Sequence, residues 1–337
     1  MADSLLYKLH SGKPNKLFHF AAGLLEAAVP GRIYRARLPE AMAEARRRPD
    51  YAYMQERADY YNRLAAPFAI SPDNLCERHR SWLRYTGPLS GFRRDTFHTA
   101  YYLDQREITR WFAPALRWNF LPGDVYFTPG APTVVKSRLL AGDNRNAVLL
   151  KLDKLRHFLF VDDRTPFAAK DDRVVFRGKI RQSRLRTAFM RRFHGNSFVD
   201  CGVVGRNEGC PEEWMTEKMT LRDHLRYKFI MAIEGNDVAS NLKWVMSSNS
   251  IAVMPRPTCE TWFMEGTLRP DYHYIEVRDD FSDLEEKLRH YATHTAEAEA
   301  IVRHAHEFVA QFRDERRELL IALLVMQKYF KLSRQLP

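Results

Sequence analysis

Between residues 229 and 255 the chain reads "FIMAIEGNDVASNLKWVMSSNSIAVMP". A short apolar run meets an acidic corner carrying a glycine. Ala239, Leu242, Trp244, Val245 and Met246 then follow at helical offsets, and a second apolar run ends at Pro255 and Pro257. Runs of that length bounded by turn residues predict strands, so the order is strand, turn, helix, strand. Two such strands joined through a helix make a parallel βαβ crossover, with the corner at the carboxyl end of the first strand.

The same reading extends along the chain. Residues 1–66 read as helices, with Pro30 and Pro39 as punctuation. Residues 82–104 read as loop, strand and turn, and residues 108–120 as a helix interrupted at Pro114. Extended segments are predicted at 125–127 and 133–135 across a Pro-Gly-Ala-Pro loop, then at 147–152, 157–163 and 174–176, and again from Ser197. "YHYIEVRDDFSDLEEKLRHY" gives a strand and a helix starting at Ser282, with Glu285 in the capping-box position. Two further helices close the chain. Strand and helix alternate through the second half, the pattern of a doubly wound parallel sheet.

At 337 residues the chain is long enough for two domains, each with its own core. Its four cysteines form no Cys-x-x-Cys pair, so neither a disulfide framework nor a structural zinc site is indicated. The net charge of +11, from 53 Lys and Arg against 42 Asp and Glu, favours anionic partners. No nucleic-acid-binding motif accompanies it, and no nucleic acid partner is expected. The apolar segment "LFHFAAGLLEAAV" is too short to span a bilayer. With Lys8, Lys13 and Lys16 nearby it suits either an anionic membrane surface or ordinary docking onto the protein.

Two strand ends carry chemistry. At the first, "VVF" runs into Arg177 and Gly178, followed by Lys179, Arg181 and Arg184. Glycine admits close backbone approach, and a guanidinium grips phosphate through two parallel charge-assisted hydrogen bonds. A solvated basic loop has the same composition. At the second, the "EGNDVAS" corner precedes a helix whose first amides suit phosphate oxygens. Asp237 or Ser240 equally suits plain helix capping.

Taken in order, "VVFRGKIR", "LRYKFIMAIEGNDVASNLKWVMSSNSIAVMP", "ETWFMEGTLRPDYHYIEVRDDFSDLEEKL" and "AHEFVAQF" resemble glycosyltransferase family 90 across most of residues 174–312. That family includes bacterial lipopolysaccharide-core transferases, fungal capsule xylosyltransferases and animal protein O-glucosyltransferases. "PTVVKSR" and "AVLLKLDKLRHFLFVDD" are more particularly similar to its bacterial lipopolysaccharide branch.

The resemblance implies an α/β, GT-B-like fold: two Rossmann-like lobes with extra N-terminal and C-terminal helices. Its expected divisions are residues 1–170 as helices plus an acceptor-side lobe, 171–312 as a nucleotide-sugar donor lobe, and 313–337 as a closing helix that packs back on the first lobe. It implies an inverting hexosyl transfer from a nucleotide sugar, UDP-glucose or UDP-galactose, to a sugar hydroxyl of a lipopolysaccharide or lipooligosaccharide core. The reaction would run without cofactor or metal, at the cytoplasmic face of the inner membrane. Arg177 and Gly178 resemble the family's Arg-Gly at the donor phosphates, with Arg181, Gly235 and Asn236 nearby. Ala239, Ser240 and Lys243 resemble its phosphate-binding segment, in which Asn241 stands where eukaryotic relatives carry arginine. Glu260 resembles an acidic residue near the nucleoside, and also suits a salt bridge. An inverting transfer needs a base for the acceptor hydroxyl. Asp124 is the candidate, with Asp104 and Asp143 as competitors, although Pro-Gly-Asp is also an ordinary turn. The alternative is a non-catalytic nucleotide-sugar or carbohydrate-binding protein of the same fold.

Overall fold

The computed structural model describes residues 12, 16–70, 85–93, 99–180, 183–205 and 209–337. In chain order the longer elements are α1 (Lys16–Ala28), α2 (Gly31–Arg47), α3 (Tyr51–Tyr61), β1 (Tyr85–Pro88), α4 (Thr99–Thr109), β2 (Arg117–Leu121), β3 (Thr133–Val135), β4 (Ser137–Leu139), β5 (Ala147–Leu149) and β6 (Asp171–Gly178). They continue as α5 (Arg184–Phe193), β7 (Val199–Val203), β8 (Tyr227–Met231), α6 (Leu242–Met246), β9 (Ile251–Met254), β10 (Cys259–Thr261), β11 (Ile275–Glu276), α7 (Leu284–Thr293), α8 (Thr295–Ala310) and α9 (Glu315–Leu332). The chain divides into two compact units.

One unit is built on Arg156–Pro257 and Glu265–Gln311. Its five strands are all parallel, in the order β11-β9-β8-β6-β7. The predicted crossover is present: Phe229, Ile230 and Met231 pair in parallel with Ile251, Ala252 and Val253. Alternate residues along the strands fall on one face. There Val174, Phe176, Phe229, Met231, Ile251, Val253 and Ile275 form one buried apolar cluster. Phe189, Met190 and Phe193 of α5 and Leu284 and Leu288 of α7 complete it.

Counted from β6, the spatial order of the strands is second, first, third, fourth, fifth. That is a doubly wound arrangement whose chain direction reverses between β6 and β8. In open α/β sheets ligands generally bind beyond the carboxyl ends of the strands at such a reversal.

The other unit comprises Asn15–Leu155, Thr258–Met264 and Phe312–Pro337. A four-stranded sheet in the order β1-β2-β3-β5 is antiparallel at its first pair and parallel elsewhere. β4 and β10 form a separate antiparallel pair. The closing helix α9 packs on α2, α3 and α4. Among the described residues no helix is long and apolar enough to cross a membrane.

Several local expectations change. Pro39 lies inside α2, where its cost of roughly 3 kcal/mol is offset by burial of Ala41, Met42 and Ala45. Residues 99–109 form a helix because Tyr101, Asp104, Gln105 and Ile108 face inward at offsets of three and four, and two of these four are polar. The helix expected over 108–120 stops at Thr109, and Arg117–Leu121 is a strand. Residues 125–127 form no ladder: the Val125 amide and carbonyl bond the Ser137 hydroxyl at 3.0 and 3.1 Å. Residues 158–163 are irregular, with the Asp163 carboxylate accepting from Lys170 at 2.7 Å and from the Asn249 amide at 2.9 Å. α7 starts at Leu284 after Asp283 rather than at Ser282, and Glu285 accepts from Asn196 at 2.7 Å instead of closing a capping box.

Candidate functional site

The first predicted corner ends β6. Arg177 and Gly178 lie in register with Gly202 and Val203 of β7. The Arg177 guanidinium donates to Asp200 Oδ1 at 2.6 Å and to the Asp200 and Phe176 carbonyls, each at 2.9 Å. The Tyr227 hydroxyl donates to the other Asp200 oxygen. Burial alone would raise the Asp200 carboxyl, but the Tyr227 and Arg177 hydrogen bonds outweigh it and hold the pKa below the usual range.

The second corner follows β8. Asn236 is exposed, Gly235 and Ser240 are half-buried, and Asp237, Ala239 and Lys243 are buried. The helix begins at Leu242, later than expected, and runs only to Met246. Asn241 precedes it and donates its side-chain amide to the Met231 carbonyl at 2.9 Å, tying the helix start to the strand end. Lys243 points into the protein and pairs with buried Glu265. Its ammonium charge is therefore used inside the fold.

The two corners stand side by side at the β6–β8 reversal, and α5 joins them. Ser183 caps α5 by accepting from the Arg186 amide at 3.3 Å, and its hydroxyl donates to the Glu234 carbonyl at 3.0 Å. Arg186 donates Nε and Nη2 to the Ile233 carbonyl at 3.1 and 2.8 Å, and Nη1 to the Lys179 carbonyl at 2.9 Å. A Cβ on Gly235 would come within 3.1 Å of that guanidinium, so glycine leaves room for it. Sequence reasoning missed Arg186, Ser183, Asp200 and Tyr227. A signal existed for Ser183, a capping residue type before the basic helical run. The others depend on which strands become neighbours. Arg181 lies outside the described residues.

The remaining candidates belong to the other unit. Glu260 is fully buried on β10, opposite Arg138 of β4. Its carboxylate accepts from Arg138 Nε at 2.7 Å, from Arg63 at 3.3 Å and from the Tyr60 hydroxyl. Asp124 is about a quarter exposed, 25%, and meets the buried Lys136 ammonium at 2.5 Å. Asp143 is exposed, and its hydrogen bond with Arg145 lowers its pKa to about 2, which weakens it as a base. Asp104 is buried beside a cavity of about 150 Å³ that Glu107, Arg110 and Lys154 also line. Burial raises its pKa to about 7, although it accepts from the Lys154 amide at 2.9 Å. Among the described residues, His290, His294 and Glu297 are grouped closely enough to ligate a cation. All three are exposed, where α7 meets α8.

A parallel sheet with glycine, arginine and helix-capping residues gathered at its strand-order reversal is an α/β architecture whose ligands generally bind at the strand ends. The profile of Glycosyl transferase family 90 matches residues 148–337, and the chain belongs to that family. It is 40% identical over 282 residues to O-glucosyltransferase LpsA of Dichelobacter nodosus, covering 83% of this chain and 84% of that protein. Protein O-glucosyltransferase 3 of Rattus norvegicus is 25% identical over 165 residues, 48% of this chain and 32% of its own length. The human protein of the same name is 24% identical over 173 residues, 50% of this chain and 34% of its own. The chain is therefore a glycosyltransferase.

Proposed function

We propose that this glycosyltransferase moves a hexose, glucose in the first instance, from a uridine diphosphate sugar to a sugar hydroxyl of a lipopolysaccharide or lipooligosaccharide core. The observation that carries the reading is the meeting of the β6 and β8 ends at the strand-order reversal, with Arg186 and Ser183 holding the two corners together. Similarity to an O-glucosyltransferase over most of both chains supports glucose as the transferred sugar.

In this reading the β6–β8 crevice takes the diphosphate. Gly178, Asn236 and Ser240 lie at the strand ends that face it, the Gly235 amide holds the turn by donating to the Asp237 carbonyl at 3.0 Å, and Arg177, with Arg181 beside it in sequence, supplies positive charge to the leaving group. Ala239, Asn241 and Lys243 shape the corner: Asn241 fixes the strand end, and Lys243 anchors the short helix through Glu265. Glu260 contributes through Arg138 and Tyr60, which occupy its carboxylate. Asp124 takes the acceptor hydroxyl proton as the new oxygen–carbon bond forms at the anomeric centre. The bond to the nucleoside diphosphate breaks on the opposite face, and the configuration inverts. No metal is needed if these groups balance the departing charge. The fold would be of the GT-B type, with the acceptor taken by the unit that carries Asp124, and the enzyme would be peripheral on the cytoplasmic face of the inner membrane.

The test offers the purified protein a panel of nucleotide sugars with truncated core oligosaccharides, with and without EDTA. Transfer from UDP-glucose with inverted anomeric configuration, unaffected by EDTA, is the expected result. Transfer from a different nucleotide sugar would replace the donor assignment, and loss of activity in EDTA with recovery on added cation would overturn metal independence.

A further inference from the structure

Exposed large apolar side chains are concentrated at one place on this protein. Of the six among the described residues, Phe18 (77%), Leu24 (39%), Leu25 (75%) and Ile33 (46%) belong to α1 and the first turn of α2. The pattern along α1 is continuous: Phe18, Ala21, Leu25 and Ala28 recur at offsets of three and four, and all four are exposed. A helix docked on a protein normally turns that stripe inward. Here the packed side of α1 is different. A Cβ on Gly23 would lie 2.8 Å from Leu103 of α4, so the helix rests closely on α4 through its glycine.

Arg110 fixes the outward orientation of both helices. It pairs with the Glu26 carboxylate of α1, donates to the Glu26 carbonyl at 3.2 Å, and lies 3.8 Å over the Tyr34 ring of α2. With Tyr34 held against Arg110 and Trp111, the opposite side of α2 presents Arg32, Ile33, Ala36 and Arg37 to solvent. Residues 31–48 contain six arginines and two glutamates.

We infer that the outward faces of α1 and the start of α2 form a membrane-contact surface whose occupant is a bilayer rich in anionic phospholipid. A helix of 13 residues is too short to span a bilayer and is about 20 Å long, enough to lie along one interface. Its apolar stripe would enter the acyl boundary while the arginines of α2 meet headgroup phosphates. A second copy of the chain fits less well: a two-fold contact would set the same arginine-rich patch against itself. The inference deepens the proposed function by assigning a surface to membrane contact, and rests on that reading only for the statement that the acceptor is itself a membrane amphiphile.

The experiment is vesicle flotation with phosphatidylethanolamine–phosphatidylglycerol vesicles and with phosphatidylcholine vesicles. The full chain is compared with a Phe18→Glu, Leu25→Glu double variant and with Arg32→Glu, Arg37→Glu. The wild type should float with the anionic vesicles and much less with the neutral ones. The apolar double variant should lose more than about tenfold in partition, the arginine variant should lose its preference for anionic lipid, and both should keep the wild-type melting temperature. Wild-type flotation by the apolar variant, or no flotation by the wild type, overturns the inference. A concentration-dependent dimer abolished by the same variant also overturns it, assigning the surface to a second copy. Transfer to a soluble truncated acceptor is measured in parallel: its failure with flotation intact counts against the proposed reaction and leaves the surface standing.

Discussion

Arg186 in the first turn of α5 donates two hydrogen bonds to the Ile233 carbonyl, at 2.8 and 3.1 Å, and so binds the helix that follows one strand to the end of its neighbour. A third bond reaches the Lys179 carbonyl at 2.9 Å. One guanidinium thus sets the spacing of the two corners assigned to the donor diphosphate.

Replacing Arg186 with alanine should loosen both corners together. The expected outcome is a stability loss of about 1–3 kcal/mol, from carbonyls left without their charged donor, and a rise in donor KM of about tenfold or more. Urea unfolding and donor-saturation kinetics measure the two. Arg186→Lys should recover part of the stability and little of the KM, because an ammonium cannot reproduce the planar fork.

Arg177→Ala removes one of the two side-chain partners of Asp200, Tyr227 being the other, as well as a cation from the β6 strand end. UDP affinity, read by calorimetry, should fall by about tenfold. Asp200→Asn should weaken it less, since Arg177 keeps its bonds to the Phe176 and Asp200 carbonyls. Equal affinity for UDP in wild type and Arg177→Ala would remove Arg177 from the donor site.

Asp124→Asn should leave UDP affinity unchanged and lower turnover by at least about a hundredfold, the usual scale for loss of a general base. It also leaves the buried Lys136 ammonium without its carboxylate, so its melting temperature should drop. Asp124→Asn with Lys136→Met should restore stability without restoring turnover, which separates the chemical role from the structural one. Full turnover in Asp124→Asn would transfer the search for a base to Asp104.

Asp104 makes a prediction about pH. Burial lifts its pKa to about 7, above that of an unfolded aspartate near 4, so the folded state holds the proton more tightly. Its favourable contribution is complete below about pH 4 and is lost as pH rises through about 7. Asp104→Asn should therefore flatten the decline in stability between about pH 4 and 7 by on the order of 2–4 kcal/mol, read as the wild-type-minus-variant difference in unfolding free energy from urea titrations.

In the same unit, Arg57 and Glu318 are both 3% exposed and meet at 2.5 Å, and the Trp262 indole donates to Glu318 at 2.6 Å. Arg57→Met alone should cost about 3 kcal/mol by taking the main cation from a buried carboxylate that keeps only Trp262 and Lys151, the latter 3.8 Å away, and the double change with Glu318→Met should recover much of that. Chemical denaturation of the three variants tests it.

Much of the fold was legible because its signals are local. The apolar runs 174–176, 229–233 and 251–254, each followed within two residues by glycine or proline, fall in β6, in and just after β8, and in β9, and the parallel pairing of the last two follows from the helix between them. The helix at 99–109 was not legible, because its inward stripe includes Asp104 and Gln105, whose burial depends on tertiary partners rather than on hydrophobicity. Similarly, Val125 took a side-chain hydroxyl in place of a strand neighbour.

For the candidate site the division is sharper. The sequence by itself determined the family, the two strand-end corners and the residue types that suit a diphosphate, since these reside in contiguous motifs. Only the tertiary structure decided that the corners adjoin at the strand-order reversal and that Arg186 spans them. It also decided that Lys243 and Glu260 spend their charges on buried partners. The physical reason is that a side chain's type fixes what it can bind, whereas the partner it meets is set by strand order and burial, which join residues far apart in the chain.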